Sequence, residues 1–155
     1  MAGRIEARLK ELKIELPKPV APRWSYVPTV RTGDLLFVSG QLCHWQGENR
    51  FIGKLGGEIS LDHGKDAARL CGLNILAQVK AALDGDLDRV VRCVKLVGFV
   101  NSVPHFTDQP LVVNGCSELI GDVFGDAGKH ARSSVGMAAL PGNVAVEVEA
   151  VFEVR

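Results

Sequence analysis

Side chains alternate in character along the last stretch of the chain, residues 144–154, and this alternation limits the folds that the chain can adopt. One set of positions is apolar (Val144, Val146, Val148, Ala150 and Phe152), and the alternate set is mostly acidic (Glu147, Glu149, Val151 and Glu153). A period of two residues among β-branched side chains predicts a strand with one buried face. Because a strand cannot bury that face alone, the chain must contain a sheet packed against a second layer.

The second layer is predicted to be helical, because helical spacing and strand-like alternation follow one another along the chain. We predict a short amphipathic helix at 4–13, strands at 34–39, 89–100, 133–139 and 144–154, and two longer helices that begin at Ser60 or Asp62 and at Asp108–Pro110 and stop near Gly85 and Gly125. The order β, α, β, α, β, β predicts an α+β domain with two helices on one face of a mixed sheet. The other face is partly apolar, so we expect a further subunit to cover it.

Composition indicates one domain over residues 1–155, of which 1–23 form the N-terminal helix and a proline-rich extension. The 18 basic and 18 acidic side chains cancel, which disfavours electrostatic binding of nucleic acid. No apolar run approaches the roughly 18 residues that span a bilayer, and the charged N-terminus lacks a signal-peptide core, so we expect a cytoplasmic protein without a membrane partner. The four cysteines (Cys43, Cys71, Cys93 and Cys116) form no CxxC pair, which favours buried free thiols over a metal site.

Two charged residues near the last two strands are candidates for a site. Arg132 precedes a strand among small neighbours, where its guanidinium could hold a ligand carboxylate or could simply pair with a surface glutamate. Glu147 lies one strand later, and we expect a hairpin that turns at Leu140–Asn143 to bring it within reach of Arg132. In a pocket Glu147 could orient a water or move a proton, whereas on an open strand it would be a solvated residue. Tyr26 and Asn101 carry no signal of their own.

The segment ARSSVGMAALPGNVAVEVEAVFEV, residues 131–154, resembles the signature of the Rid (YjgF-like, reactive intermediate deaminase) family. In that signature an Arg-Ser pair leads a strand, a Leu-Pro turn follows, and a Val/Ile-Glu-Val/Ile-Glu-Ala strand ends the domain. Three further pieces are similar and stand in the same order: Tyr26-Val, Val38-Ser39-Gly40-Gln41 and Val100-Asn101. The resemblance covers roughly residues 24–154. This chain also has an N-terminal helix and a longer 43–57 loop, which better-studied members lack, and in both features it resembles a longer subgroup of the family.

The resemblance implies a chorismate-mutase-like (YjgF/L-PSP) fold, a homotrimer, and pockets between subunits. Active members hydrolyse 2-imino acids to 2-keto acids and ammonia without a metal or organic cofactor. By resemblance, Arg132 would clamp the substrate carboxylate and Glu147 would position the attacking water. The other pocket positions carried over in the same way are Tyr26, Ser39, Gly40, Asn101 and Ser134, the last of which stands where better-studied members carry cysteine.

Three other functions are compatible with parts of the sequence. A trimer that binds a small 2-keto acid without turnover would need only Arg132, whereas the presence of Glu147 and Asn101 beside it favours an enzyme. Ribonuclease or translation-inhibitor activity, a label attached to the family, is disfavoured by the zero net charge and the absence of a basic and aromatic stripe. Chorismate mutase activity is suggested by fold similarity alone, which is a poor guide to function.

Overall fold

The computed structural model describes residues 3–155, which form one five-stranded sheet, one short hairpin and three α-helices. The helices are α1 (Arg4–Glu11), α2 (Leu61–Ala82) and α3 (Gln109–Phe124). The strands are β1 (Thr29–Thr32), β2 (Leu35–Leu42), β3 (His44–Trp45), β4 (Glu48–Asn49), β5 (Val90–Asn101), β6 (Ala131–Met137) and β7 (Val146–Val154). No helix within residues 3–155 is both long and apolar enough to cross a bilayer.

The large sheet has the strand order β1-β2-β7-β5-β6, and only the β5–β6 pair is parallel. Helices α2 and α3 pack on one face of the sheet. The apolar alternate residues at the end of the chain, which the pattern predicts to form a buried face, are all buried there. The predicted α+β fold, with a mixed sheet, two helices on one face and a short N-terminal helix, is therefore confirmed. All four cysteines are buried free thiols, and burial raises the pKa of Cys93 and of Cys116 to about 12.

The predicted hairpin between the last two strands is wrong. β6 pairs in parallel with β5, and β7 lies on the other side of β5, so β6 and β7 are not neighbours. The reason is that α3 forms the crossover of a β5–α3–β6 unit, which places β6 at the sheet edge. The turn at Pro141–Asn143, with φ of 62° at Gly142 and 55° at Asn143, then returns the chain to the centre of the sheet.

One further element escaped the sequence pattern. Edge strand β1 has the sequence TVRT, whose side chains are almost all exposed, so it lacks the apolar alternation that predicts a strand. The hairpin of β3 and β4, with two residues on each side, falls within residues 43–57, whose glycine and polar residues predict a loop or an irregular hairpin. By contrast, α2 begins where predicted, because the Ser60 hydroxyl caps it by accepting a bond from the His63 N–H at 3.2 Å.

The face of the sheet opposite the helices is open and partly apolar. Phe37, Val30 and Val135 are 44%, 52% and 42% exposed, and a groove of about 460 Å³ crosses the open face between β1, β2, β5 and β7. An open and partly apolar sheet face of this kind often marks an interaction surface. That another subunit covers this face therefore stays a prediction.

We expect light scattering to give the mass of three chains at micromolar concentration, because the open face of each protomer gains stability by being buried. Phe37→Glu, which places a charge in the groove of that face, should shift the protein towards monomers. Lys10→Glu, a charge change on the exposed side of α1, is the matched control and should leave the mass unchanged. A stable monomer for the parent protein would contradict this prediction.

Candidate small-molecule site

Arg132 lies on the edge strand β6, and its side chain points towards the helix layer. Its register partner on β5 is Leu96, which is fully buried beneath the helices. The guanidinium donates to Asn114 Oδ1 at 2.8 Å, to Ser117 Oγ at 3.1 Å and to the Pro110 carbonyl at 3.2 Å. All three acceptors belong to α3 and all are neutral, so the cation is positioned without being neutralised.

A chain of hydrogen bonds behind Arg132 fixes the Ser117 hydroxyl. His130 Nδ1 lies 2.6 Å from the Gly128 carbonyl oxygen, and His130 Nε2 lies 2.9 Å from Ser117 Oγ. The pattern is satisfied when Nδ1 carries the proton, because Nε2 then accepts from the Ser117 hydroxyl and leaves the Ser117 oxygen free to accept from Arg132. Within residues 3–155 no carboxylate forms an ion pair with Arg132. The alternative of a surface Arg–Glu pair is therefore wrong for the described chain.

Ser39 and Gly40 form a β-bulge in the middle of β2. The register of β2 against β7 shifts between Val38 and Gln41, so the two residues between them face a single residue of β7. The Ser39 N–H bonds instead to the Pro28 carbonyl at 2.9 Å. A bulge releases backbone polar groups from the regular ladder and often re-aims the chain at a binding site. Backbone groups at this bulge can therefore contact a ligand.

Glu147 lies against the bulge on the open face of the sheet. A Cβ atom at Gly40 would overlap the Glu147 carboxylate, so a side chain at position 40 would have to displace it. Glu147 is half-buried, and this burial raises the pKa of its carboxyl above the ordinary value, with the nearby charge of Glu149 adding to the shift. A carboxyl with a raised pKa exchanges its proton closer to neutral pH, as a general acid or base requires.

A cleft of about 390 Å³ opens beside the bulge. It extends from Ser39 and Gly40, past Tyr26, to the segment 20–24. Tyr26 is 50% exposed, so its ring is free to contact a ligand. The structure thus brings Tyr26, which carries no signal in the sequence, next to Ser39 and Gly40, the positions that the resemblance to the Rid family indicated.

Asn101 is fully buried and holds loops together. Its Nδ2 donates to the Gly53 carbonyl at 3.2 Å and to Asn143 Oδ1 at 3.0 Å, and its Oδ1 accepts from Lys54 Nζ at 2.6 Å. Both amide hydrogens are used, so Asn101 has none to offer a ligand within the protomer. Asn101 therefore contributes to a pocket by holding the loops around Gly53 and Asn143 in place.

The residues predicted for one site fall into two groups on opposite faces of the sheet. Arg132 and Ser134 face the helix layer at the β6 edge, whereas the other group surrounds the bulge: Tyr26, Ser39, Gly40 and Glu147. Strand β5 separates β6 from β7, which corresponds to roughly 10 Å between strand axes. One protomer therefore does not bring Arg132 and Glu147 together.

Sequence reasoning missed the residues that hold Arg132. Asn114 and Ser117 are three residues apart on α3, a spacing that places both side chains on one helix face, but nothing in the sequence links that face to β6. Lys54 was also missed. It donates at 2.6 Å both to Asn101 Oδ1 and to the Ala138 carbonyl, joining segments more than eighty residues apart in a way that no local pattern signals.

Gly40→Ala tests the contact between the bulge and the carboxylate. We expect the fold to persist, because the flexible Glu147 side chain can rotate away, but its carboxylate will leave its position beside the bulge and turnover of a substrate will fall about tenfold or more. Combining Gly40→Ala with Glu147→Gln should give little further loss, because both changes remove the same group. Kinetic comparison of the two single variants and the double variant measures this, and additive losses would contradict it.

Ser134→Ala should be nearly silent. The Ser134 hydroxyl oxygen is buried without a hydrogen-bond partner within residues 3–155, so its removal costs no bond and relieves an unpaired polar group. We expect an unchanged or higher melting temperature and turnover within about threefold of the parent. A loss of more than roughly a hundredfold with the fold intact would instead indicate a covalent mechanism through Ser134.

The fold and the two groups of site residues define a class of protein: a helix-backed mixed sheet with an arginine on its edge strand and a bulged strand against a half-buried carboxyl. A family model described as "YjgF/chorismate mutase-like, putative endoribonuclease" matches residues 6–153. The chain belongs to this family, so the resemblance to the Rid/YjgF family and the chorismate-mutase-like fold inferred from it are both confirmed.

Individual relatives support the same assignment over nearly the whole chain. Protein TCP17 of Trypanosoma cruzi is 49% identical over 155 residues, covering 99% of this chain and 96% of that protein. The crystal structure of Atu1372 from Agrobacterium tumefaciens, a protein of unknown function, has 50% identity and a TM-score of 0.90 and covers 97% of this chain and 93% of its own. The crystal structure of E. coli TdcF with bound serine has 25% identity and a TM-score of 0.60, over 90% of this chain and 93% of its own.

Proposed function

We propose that this protein hydrolyses 2-imino acids to 2-keto acids and ammonia, in pockets between the protomers of a homotrimer. The observation that carries the proposal is the Arg132 guanidinium, which neutral acceptors on α3 hold in place and which no carboxylate within residues 3–155 neutralises. A pre-oriented and unpaired guanidinium at a strand edge is suited to bind a carboxylate through two parallel hydrogen bonds. The similar structure of E. coli TdcF contains bound serine, which is likewise a small carboxylate ligand.

Glu147 supplies the second function that the reaction needs. In the reaction a water adds to the imine carbon, and the proton that it loses on addition is transferred to the nitrogen, which gives a carbinolamine. The hydroxyl of the carbinolamine then loses its proton and becomes the keto carbonyl as the carbon–nitrogen bond breaks, so ammonia leaves with both protons of the water. Imines already hydrolyse in water, so orienting that water and moving its proton are the main tasks. Glu147, half-buried and with a raised pKa, can accept the proton from the water and return it to the leaving nitrogen.

The position of the two groups within the protomer supports a pocket between subunits. Arg132 and Glu147 lie on opposite faces of the sheet, so a ligand that contacts both needs Arg132 from one protomer and the bulge with Glu147 from its neighbour. The exposed apolar side chains on the open face favour the same assembly. Two half-sites on one chain become three complete sites when a ring of three protomers closes.

An imine-hydrolysis assay tests the proposal. Imines are generated in the assay by oxidation of several amino acids, and their decay is followed with the parent protein and without it. Acceleration that depends on Arg132 and Glu147 supports the proposal. Binding of pyruvate without acceleration of any imine would favour the second candidate, a non-catalytic trimer that binds 2-keto acids, because that role needs only the guanidinium. Cleavage of RNA at comparable protein concentration would support the endoribonuclease named in the family description.

A further inference from the structure

Two buried side-chain amides form the floor of the cleft beside the bulge. Asn74 on α2 is 3% exposed, and its Nδ2 donates to the carbonyls of His44 at 2.7 Å and Leu70 at 2.9 Å. Gln41 on β2 is 9% exposed, and its Nε2 donates to the Ser39 carbonyl at 3.0 Å. Both residues line the cleft. Each amide is thus anchored through its nitrogen to carbonyls of the protein.

This anchoring fixes the orientation of both amides. If Asn74 were flipped, its oxygen would face carbonyl oxygens and lose every one of these bonds. The oxygens Asn74 Oδ1 and Gln41 Oε1 consequently point away from the carbonyls, and within residues 3–155 no donor makes a hydrogen bond to either. Neither oxygen is among the fully enclosed side-chain atoms that lack a partner in the described chain, so each keeps some access to the cleft that its residue lines. The cleft therefore offers two acceptors to a ligand that carries donors.

The upper walls of the cleft are aromatic and basic. Trp24 is 80% exposed and Tyr26 50% exposed, and Arg23 and His44 also line the cleft. The wall is held to the helix layer, because Gln78 Nε2 on α2 donates to the Val20 carbonyl at 2.8 Å. A flat aromatic surface is suited to cover the extended part of a ligand.

The charged and polar groups around the cleft limit the chemical class of the ligand. An ammonium group would satisfy the two acceptor oxygens but would be repelled by Arg23, and a carboxylate would suit Arg23 but would be repelled by the two oxygens. An uncharged amide satisfies both, because its N–H donates to Asn74 or Gln41 and its carbonyl accepts from Arg23. At about 390 Å³ the cleft is far larger than a three-carbon imino acid requires.

We propose that this cleft selects 2-imino acids whose side chain is extended and ends in an uncharged amide. This inference rests on the proposed function in one respect, since it takes the bulge at Ser39 and Gly40 as the reacting end. The amide then lies on Asn74 and Gln41, and Trp24 covers the intervening chain.

Binding of two 2-keto acids of equal length tests the inference separately from turnover. One is 6-acetamido-2-oxohexanoate, which carries the amide, and the other is 2-oxononanoate, which has the same chain length and no donor. We expect calorimetry to give about tenfold tighter binding of the amide ligand, although the alkyl ligand is the more hydrophobic. Pyruvate, which reaches only the bulge end, should bind more weakly than the amide ligand.

The two tryptophans provide a readout of position. In a Trp45→Phe background Trp24 is the only tryptophan, and we expect the amide ligand to change its fluorescence. Trp24→Phe, which retains Trp45 outside the cleft lining, should show little change on saturation with the same ligand. Trp24→Ala should weaken binding of both long ligands but leave pyruvate binding unaltered.

The outcomes separate the two proposals. Equal or weaker binding of the amide ligand relative to 2-oxononanoate overturns the cleft inference, and Arg132-dependent turnover of small imines would leave the proposed function standing. Tighter binding of the amide ligand with a Trp24 signal supports the cleft inference even if no imine is hydrolysed, in which case only the catalytic proposal fails.

Discussion

Arg132→Ala is expected to weaken binding of pyruvate-like 2-keto acids by roughly 10- to 150-fold. Charge-assisted hydrogen bonds between a guanidinium and a carboxylate contribute about 1.5–3 kcal/mol in a partly desolvated pocket, and that range converts to this change in affinity. Imine turnover should fall at least as far, because the clamp also orients the reacting carbon. Calorimetry with pyruvate and the imine assay measure the two effects on the same protein sample.

Two further variants give this prediction its controls. Arg132→Lys keeps the charge but loses the planar fork and cannot reach Asn114, Ser117 and the Pro110 carbonyl together, so it should also bind weakly. Arg8→Ala is the matched control: Arg8 is likewise half-buried and donates to the carbonyl of Asp122 on α3, but it comes from α1. If Arg132→Ala binds pyruvate as well as the parent does, the carboxylate-clamp assignment is wrong.

Glu147→Gln is expected to slow turnover by roughly a hundredfold to ten-thousandfold, the usual contribution of a positioned acid or base. Binding of 2-keto acids should stay within about threefold of the parent, since the amide preserves the shape of the side chain above Gly40. Glu153→Gln, on the same face of the same strand, serves as the control and should retain turnover. Unchanged turnover in Glu147→Gln would make Glu147 only a strand residue, and another group would have to position the water.

The raised pKa of Glu147 gives the same variant a stability signature. Burial disfavours the ionised carboxyl of Glu147 in the folded state. The folded parent is therefore most stable relative to the variant below the ordinary carboxyl pKa of about 4.3, and it loses that stability as the pH rises through the raised pKa. Glutamine does not titrate, so the melting temperature of Glu147→Gln relative to the parent should increase between about pH 4 and pH 8. A relative melting temperature that falls over this range would contradict the burial of the ionised group.

The sequence predicts the helices and strands of this fold better than it predicts which strands lie next to each other in the sheet. The helices and the longer strands follow from local spacing, and the Ser60 cap follows from local hydrogen bonding. Strand order is different, because it depends on crossovers. Residues 131–154 alone do not show whether β6 and β7 pair as a hairpin or whether the chain passes from the edge of the sheet at β6 to its centre at β7. The second path becomes clear only when α3 is recognised as the crossover between the parallel strands β5 and β6.

The candidate site shows the same division. Arg132 and Glu147 were identified by residue type and by resemblance, but the expectation that a hairpin brings them within reach of each other was wrong, because β5 lies between β6 and β7. The partners of Arg132 on α3 depend on helix-to-strand packing, which leaves only a weak trace at positions 114 and 117. Asn101 was assigned to a pocket by resemblance, whereas the protomer uses its whole amide to join loops.

The central place of β7 also governs how the chain can fold during synthesis. β2 and β5 each pair with β7 and not with each other, and β7 follows all the other strands in the chain. Until the ribosome has released residues 146–154, the emerging chain carries two separate strand pairs, β1–β2 and β5–β6, whose inner edges and apolar faces are unprotected. Such edges are templates for pairing with other chains, so we expect the nascent protein to be most prone to aggregation before β7 is synthesised.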